Sequence, residues 1–239
     1  KLHVTQSDET PTQVIKDSSH PNSKCYMWVH RSGEFYQERP VVIYEYQKDR
    51  DHQKPLEFYR DYKGILVTDG LQQYHLVDKK LPDVTNANCW AHARRKFDEA
   101  VKSLPKGKAK SGSAAQGLAY CSKLFELEQS LSDLSPQERY LQRLEQEKPV
   151  LDAFLAWANT RTAAPKSALL KALTYLKEQW PYLFNYLRDC RLEISNNRAE
   201  RSIKPFVIDR KNFLFANTPK GATGSAVIFS MIQTALENQ

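Results

Sequence analysis

An acidic residue closes the most strand-like segment of the sequence. The run from Gly64 to Gly70 reads GILVTDG, a stretch of mostly apolar residues that ends on Asp69 and a glycine. A run of this kind is typical of a strand covered on both faces. A carboxylate at its end is costly to bury unless water or a cation compensates the charge. Asp69 is therefore a candidate metal ligand, although an Asp-Gly pair is also a common turn.

Two further acids lie far from Asp69 along the chain. Asp8 stands in the sequence SDETP. Because neighbouring residues of a strand face opposite sides, Asp8 and Glu9 cannot both reach one metal unless the strand bulges. The alternative is a solvated acidic pair before a proline turn. Glu200 stands in NNRAER on a predicted short helix, where the alternative is a surface ion pair with Lys204 at i+4.

The first hundred residues predict the strands that would position Asp8 and Asp69. Three aromatic and β-branched runs are close enough in sequence to form an antiparallel meander. They cover Leu2–Val14, interrupted by Pro11, then Lys24–His30 and Pro40–Tyr46. A short helix over Lys54–Tyr62, a weaker strand over Asp83–Cys89 and a strongly basic helix over Trp90–Ser103 are also expected.

The middle of the chain predicts an all-helical region. Pro105–Gly117 is rich in Lys, Gly, Ser and Ala, a composition typical of an exposed linker. Apolar residues then recur at helical spacing. Ser135 begins a capping box with proline at the first helical position. Pro149 is a candidate kink, and Ala168–Trp180 predicts another amphipathic helix.

The last fifty residues predict a short helix around Glu200. Ser195-Asn196-Asn197 offers N-cap chemistry, with Ser195 as the cap, and Pro205 is expected to end the helix. Short extended pieces are then expected at 206–208 and 213–215, followed by a turn at Pro219–Gly221 and a closing helix over Ala222–Asn238.

Bulk composition excludes a disordered chain and favours a polyanionic partner. Hydrophobic residues make up 41% and charged residues 26% of 239, the balance of a globular protein with a sizeable core. The net charge is +7, which suits nucleic acid among other partners. The chain has no apolar run long enough to cross a bilayer, no visible secretory signal, and four scattered cysteines without a CxxC pair. A cytoplasmic location is therefore expected.

Four phrases that occur together and in order resemble the transposase family of insertion sequence 66, a DDE-type family. They are ETP after Asp8, VTDGLQQY around Asp69, CWAHARRKF from Cys89 to Phe97, and NNRAERSIKPFVIDRKNFLFANTPKGA from Asn196 to Ala222. The resemblance covers nearly the whole chain and is closest over Gly64–Ala100 and Leu192–Asn238. Many members of the family carry an aspartate at the position of Ser195.

The resemblance implies an α/β fold: a ribonuclease-H-like mixed sheet flanked by helices, with an all-helical insertion before the last catalytic helix. The core would comprise residues 1–104 and 191–239, the latter including the C-terminal helix, and the insertion would comprise 105–190. Asp8, Asp69 and Glu200 would be the catalytic acids and would hold two Mg²⁺ ions, for which Mn²⁺ can substitute.

The activity implied by the resemblance is DNA transposition. Two-metal hydrolysis would cleave phosphodiester bonds at the ends of the mobile element, and strand transfer would join the 3′-OH to target DNA. The implied partners are double-stranded DNA and further copies of the chain on that DNA, without a membrane, in the nucleoid of a bacterial cytoplasm. Two alternatives stay open: a ribonuclease-H-like nuclease or resolvase, and a catalytically inactive DNA-binding remnant.

Basic residues flank the acids where DNA phosphates would lie. Charged helix faces are often only solvated, so about half of these residues are expected to contact DNA. The candidates are Arg94, Arg95, Lys96, Arg198, Arg201, Lys204, Arg210, Lys211 and Lys220. Cys89 and His92 form a CxxH element similar to one found after the second acid in several transposase families. Because a second pair at metal spacing is lacking, the element is expected to be structural, with Trp90 in the core.

Overall fold

The computed structural model describes residues 2–16, 25–36, 39–51, 53–105 and 112–239. The chain divides into two compact units. The first unit comprises the residues up to Asn86 together with Asn196–Gln239, and the second comprises Ala87–Ser195. The division of the sequence at residues 104 and 190 stays a prediction.

The described residues contain a five-stranded mixed sheet. Its strands are β1 (Val4–Thr12), β2 (Cys25–Ser32), β3 (Val42–Gln47), β4 (Gly64–Thr68) and β5 (Val84–Asn88), in the order β3-β2-β1-β4-β5. β1 to β3 form the predicted antiparallel meander, and β4 pairs with β1 in parallel. With helices flanking it, this sheet has the α/β, ribonuclease-H-like architecture that was expected.

The first two helices lie between strands in the chain, and the other described helices follow the last strand. They are α1 (Gln53–Phe58), α2 (Gln72–Lys80), α3 (Trp90–Lys102), α4 (Ser113–Ser130), α5 (Pro136–Gln142), α6 (Lys148–Asn159), α7 (Ala168–Leu183), α8 (Asn197–Phe213) and α9 (Pro219–Glu237). Helices α4 to α7 form the all-helical insertion that precedes α8 in the chain. None of the described helices is long and apolar enough to span a membrane.

Pro11 does not interrupt β1, contrary to the sequence prediction. It pairs with Tyr26 of β2, whereas the pairing of β1 with β4 ends at Gln6. Beyond Gln6 one side of β1 has no ladder from β4, so the missing N–H of Pro11 breaks no hydrogen bond on that side. Two other expected elements also differ in extent. Lys24 lies outside the described residues, and α1 ends at Phe58 rather than continuing to Tyr62.

Helix α8 runs through Pro205 to Phe213, so the predicted end at the proline and the extended pieces at 206–208 and 213–215 are wrong. Ile203 and Phe206, on either side of Pro205, are both buried in one core cluster. Their burial stabilises helical structure on both sides of the proline and outweighs a lost helical hydrogen bond. The helix ends instead at Phe213, and the next residue, Leu214, has a φ of 61°.

The other boundary differences are helices that begin earlier in the chain than expected. Helix α9 starts at Pro219, not Ala222, because the Thr218 side chain accepts the N–H of Gly221 at 3.1 Å and proline occupies the first helical position. Helix α4 starts at Ser113, inside the segment predicted as a linker. Residues 106–111 of that segment lie outside the described residues.

Helix α9 closes the outer edge of β3 with hydroxyl groups. Thr234 Oγ1 accepts the N–H of Val42 at 3.0 Å and donates to its carbonyl at 2.9 Å. One turn earlier, Ser230 Oγ accepts the N–H of Tyr44 at 2.7 Å. Residues spaced by four on the helix therefore match residues spaced by two on the strand. This pairing satisfies backbone groups that an open sheet edge would leave exposed.

The second unit packs aromatic residues around Trp90, as predicted. The Trp90 side chain is fully buried, its Nε1 donates to the Leu183 carbonyl at 3.0 Å, and its ring lies against Phe154 and Trp180. The predicted capping box at the start of α5 is present: the Ser135 side chain accepts the N–H of Glu138, the third residue of the helix.

A buried ionic cluster lies at an irregular helical segment of the second unit. A π-helical segment, Arg143–Glu147, joins α5 to α6 just before Pro149, the predicted site of a kink. Arg143 has no exposed surface and binds the Glu128 carboxylate, with a 2.8 Å hydrogen bond from Nη2. Its Nη2 also donates to the Leu192 carbonyl at 2.6 Å. Arg143 therefore links the π-helical segment to Leu192, in the stretch of chain that leads out of the insertion.

Candidate functional site

Asp8 lies on the face of β1 that α8 covers. Gln6 and Thr10, two residues to either side, both contact that helix: Gln6 Oε1 accepts the N–H of Ala199 at 3.2 Å, and Arg210 Nη1 donates to Thr10 Oγ1 at 3.4 Å. Side chains of a strand alternate between its faces, so Asp8 shares the face of Gln6 and Thr10. Asp8, the first candidate acid, therefore lies on the side of the sheet covered by the helix that carries Glu200.

Glu9 lies on the opposite face and has its own partners. Its Oε2 accepts the Tyr74 hydroxyl at 2.8 Å, and its Oε1 accepts Arg50 Nε at 3.0 Å and also contacts Nη2 of the same guanidinium. Burial and then the charge of Asp69 raise the pKa of Glu9, while the hydrogen bond from Arg50 opposes the rise. The prediction that Asp8 and Glu9 face opposite sides is confirmed, and Glu9 is engaged by Arg50.

Asp69 follows the last residue of β4 at the level of Asp8. In the parallel pairing of β1 with β4, Gln6 lies opposite Val67, and each acid comes two residues later. The Asp69 carboxylate accepts the N–H of Leu71 at 2.9 Å, and Gly70 has a φ of 89°. The Asp-Gly pair therefore forms the turn that was the alternative interpretation, and this turn fixes the acid at the strand end. The role of Asp69 as a metal ligand stays a prediction.

Glu200 lies in the first turn of α8, and that turn is capped from β1. The N-cap position is Asn196, not Ser195 as predicted, and its side chain makes no capping hydrogen bond. The Asn196 amide instead donates to the Ser7 carbonyl at 3.5 Å. The N–H of Ala199, the third residue of the helix, is accepted by Gln6. The cap of this helix therefore comes from the strand that carries Asp8.

The negative charges of the other two candidate acids act on the carboxyl group of Asp8. Burial raises the pKa of Asp8 to about 8, and the negative charges of Glu9, Asp69 and Glu200 add to the rise. The N–H of Glu9, which donates to Asp8 Oδ1 at 2.9 Å, opposes it. The half-buried Asp8 carboxyl has a raised pKa and acidic neighbours, so it lacks a counter-charge. Hard cations prefer carboxylate oxygens of this kind.

The acids do not form a closed set of metal ligands. Across residues 2–16, 25–36, 39–51, 53–105 and 112–239, no three His, Cys, Asp or Glu side chains are grouped so that they could hold one metal ion. The donor chemistry of Asp8, Asp69 and Glu200 fits a divalent cation, and the elements that carry them meet on one side of the sheet. Their carboxylates would have to move closer together to share an ion.

The basic candidates of the first unit differ in their surroundings. Arg198 forms an ion pair with Glu34 at 3.2 Å, and Arg210 contacts Thr10. The remaining ones are exposed: Arg201, Lys204, Lys211 and Lys220. The exposed group is better suited to contact phosphates than residues already held by protein partners.

The candidates of the second unit lie on or beside α3. Arg94 and Arg95 are exposed, whereas the Lys96 ammonium lies 5.8 Å from the centre of the Tyr175 ring. Cys89 is the fully buried N-cap residue of α3, and its carbonyl accepts the N–H of His92 at 3.3 Å. Cys89 thus lies at the N-cap position of α3.

Sequence reasoning missed the residues that support the acids. Gln6 could have been found, because its position two residues before Asp8 puts it on the same strand face. Arg50 carries no comparable signal, since it reaches Glu9 from 41 residues away along the chain. Neither does Arg31, whose guanidinium binds the Glu237 carboxylate at 2.9 Å and thereby joins β2 to α9.

Comparison with known proteins gives one family. Residues 1–224 match the family model described as "Transposase IS66 family". The chain is also similar to proteins of Sinorhizobium fredii (strain NBRC 101917 / NGR234) that are named as uncharacterized. It is 31% identical to y4hP over 83% of this chain and 38% of that protein, and 28% identical to y4qI over 97% and 44%. The chain thus spans less than half the length of these curated relatives.

Proposed function

Because the chain belongs to the IS66 transposase family, we propose that its first unit is the catalytic part of a DNA transposase, with Asp8, Asp69 and Glu200 as the reactive site. The observation that carries the proposal is the position of Asp8. It faces α8, and the charges of Asp69 and Glu200 both act on its carboxyl group. The three acids would come from a central strand, from the end of its parallel neighbour and from a covering helix, and would all lie on one side of the sheet.

The three carboxylates would hold Mg²⁺, or Mn²⁺ in its place. Oxygen ligands with a surplus of negative charge suit both ions. A bound pair of ions would stabilise the negative charge that develops on the attacking and leaving oxygens of a phosphodiester. The protein would supply no separate general base.

The surrounding residues of the chain would position the acids. Gln6 fixes the first turn of α8 against β1, which holds Glu200 and Asp8 on one rigid framework. Arg50 and Tyr74 neutralise and orient Glu9 on the opposite face, so that this buried acid does not add its full charge to the reactive side. The Leu71 amide holds Asp69 at the strand end.

The substrate would be double-stranded DNA, first at the ends of the mobile element and then at the target. Cleavage would release a 3′-OH, and strand transfer would join this oxygen to a target phosphorus with loss of the target strand's own 3′ oxygen. Exposed residues such as Arg201, Lys204 and Lys211 would neutralise backbone phosphates without reading sequence. Further copies of the chain would assemble on paired ends.

Two other functions fit the same fold. A ribonuclease-H-like nuclease or resolvase would cleave DNA without joining the ends, and an inactive remnant would bind DNA without cutting it. The family match over residues 1–224 favours the transposase.

A strand-transfer assay separates the three functions. Labelled duplex DNA with a pre-cut 3′ end is incubated with supercoiled plasmid, Mg²⁺ or Mn²⁺, and the protein. Covalent joining to the plasmid supports the transposase, nicking alone supports the nuclease, and salt-dependent binding with neither product supports the remnant. Asp69→Asn should abolish joining. Asp61→Asn, at an exposed acid that precedes β4, is the matched control and should leave joining unchanged.

A further inference from the structure

The turn that follows α8 exposes three apolar side chains in succession. Leu214 is 65% exposed, and its neighbours Phe213 and Phe215 are 40% and 41% exposed. The Phe213 ring packs edge-on against the buried Phe206, with the ring centres 5.9 Å apart, so its position is tied to the core. Leu214 and Phe215 therefore form the apolar tip of the turn.

The backbone holds Leu214 in a conformation that leucine rarely adopts. Its φ is 61° and its ψ is −45°, and the N–H of Phe215 donates to the Phe213 carbonyl at 2.7 Å. This is the γ-turn with positive φ, which is rare and strained. Burial does not offset the strain, because the Leu214 side chain is mostly exposed. Since backbone strain is concentrated at functional sites, the tip is a candidate contact with another molecule.

Hydrogen bonds on both sides of the tip fix the turn. Before it, the N–H of Leu214 donates to the Arg210 carbonyl at 2.8 Å. After it, the N–H of Ala216 donates to the Gln13 carbonyl at 2.9 Å, and the Ala216 carbonyl accepts the N–H of Ile15 at 3.0 Å. The tip is thus held on a fixed backbone, so little conformational entropy would be lost when it contacts a partner.

Basic residues around the tip favour a polyanionic partner. Arg210 and Lys211 precede the tip and Lys220 follows it, whereas positions 205–220 contain one acid, Asp209. Lys211 and Lys220 are exposed. A purely apolar partner would gain nothing from these charges. A DNA duplex offers phosphates to the basic residues and the apolar faces of its stacked bases to the tip.

The turn ends the helix that carries the third candidate acid. Phe213 follows Glu200 by 13 residues, a rise of about 20 Å, which is the length of about six base pairs. Near the end of the helix, Arg210 donates to Thr10 of β1, two residues beyond Asp8. A duplex that lies along α8 would therefore contact both the acids and the tip.

We propose that Leu214 and Phe215 form a wedge that inserts between two base pairs of bound DNA and unstacks them, while Arg210, Lys211 and Lys220 hold phosphates beside the opened step. Proteins that bend DNA insert apolar side chains of this kind into base steps. The proposal rests on the proposed function, because it takes duplex DNA as the partner. It concerns distortion of the duplex, and no covalent bond forms or breaks.

Preference for a weakened duplex tests the wedge. Without a divalent cation, so that no strand is cut, fluorescence anisotropy compares matched duplexes of about 15 base pairs with duplexes carrying one mismatch at successive positions. A mismatch lowers the cost of unstacking, so the wild type should bind the best-placed mismatch about 5-fold more tightly. Leu214→Ala should bind both duplexes equally. Leu236→Ala, at a 52% exposed leucine of α9, is the matched control and should keep the preference.

Leu214→Gly separates the wedge from the fold. Glycine adopts a positive φ without strain, so this variant should be at least as stable as the wild type in chemical denaturation and still lose the mismatch preference. 2-Aminopurine, a base analogue whose fluorescence rises when it is unstacked, reports the opening directly when it lies beside the preferred mismatch position in a matched duplex. Its fluorescence should rise with the wild type and with Leu236→Ala, and with neither Leu214 variant.

The outcomes distinguish the wedge from the proposed function. Equal binding of matched and mismatched duplexes by the wild type, or a preference that survives in Leu214→Ala, would overturn the wedge and leave the proposed catalysis intact. Absence of duplex binding even at low salt would overturn both.

Discussion

Gln6 Oε1 accepts the N–H of Ala199 at 3.2 Å, and through this hydrogen bond the strand that carries Asp8 caps the helix that carries Glu200. The helix has no capping side chain of its own. Both residues are buried, so the N–H of Ala199 would have no solvent to replace Gln6. The hydrogen bond therefore links the positions of two acids that are 192 residues apart in the sequence.

Removal of the Gln6 acceptor is expected to loosen α8 at its start. Gln6→Met keeps the length of the side chain but leaves the Ala199 N–H unsatisfied, which should lower the free energy of unfolding by about 1–2 kcal/mol. It should also raise the Mg²⁺ concentration needed for half-maximal strand transfer. Gln116→Met is the control, because Gln116 is likewise an acceptor, for Trp157 Nε1 at 2.7 Å, but belongs to the second unit and not to the acids' surroundings. Equal Mg²⁺ requirements for both variants would refute the positioning role.

An exposed lysine of α8 is expected to contribute to DNA binding through charge alone. Lys204→Ala should weaken binding of unrelated duplexes to a similar extent and reduce the slope of log affinity against log salt concentration by about 1. Fluorescence anisotropy over a salt series measures both quantities. Lys63→Ala, at an exposed lysine paired with Asp83 at 2.6 Å, should leave the slope unchanged. An unaltered slope in Lys204→Ala would remove this residue from the DNA surface.

A buried acid of the insertion is expected to make stability depend on pH. Burial and the charge of Glu128 raise the pKa of Glu147 to about 8, whereas the group titrates near 4.3 when unfolded. Between these values the folded protein retains a proton that the unfolded chain has lost. The stabilisation is complete below pH ~4 and is lost as the pH rises through about 8.

Glu147→Gln removes this proton linkage. Chemical denaturation should show the free energy of unfolding of the variant rising relative to that of the wild type by about 3–4 kcal/mol between pH 5 and 8. Glu145→Gln, at an exposed neighbour in the same π-helical segment, should follow the wild-type curve. Parallel curves for Glu147→Gln and the wild type would show that the Glu147 carboxyl is ionised in the folded protein.

Local patterns predicted the elements whose signals are local. The meander of β1 to β3, the acid after β4 and the opposite orientation of Asp8 and Glu9 all follow from strand periodicity, which needs no knowledge of distant residues. The capping box at Ser135 is likewise defined within four residues.

The predictions that failed depend on distant contacts. Pro205 is a helix terminator by its own chemistry, yet burial of Ile203 and Phe206 against the sheet keeps α8 intact. The cap from Gln6 is 193 residues away from Ala199, and the partner of Glu9 is in a loop after β3. No periodicity in the sequence records which distant side chain completes a helix end or neutralises a buried acid.

Metal binding by the three acids is the central claim, and a crystal soaked in Mn²⁺ tests it most directly, since the anomalous signal locates the ions. The account predicts Mn²⁺ between Asp8, Asp69 and Glu200, with their carboxylates drawn closer together than in the metal-free chain, and no Mn²⁺ in crystals of Asp69→Asn. Ions bound only elsewhere, or carboxylates that stay apart at saturating Mn²⁺, would contradict it.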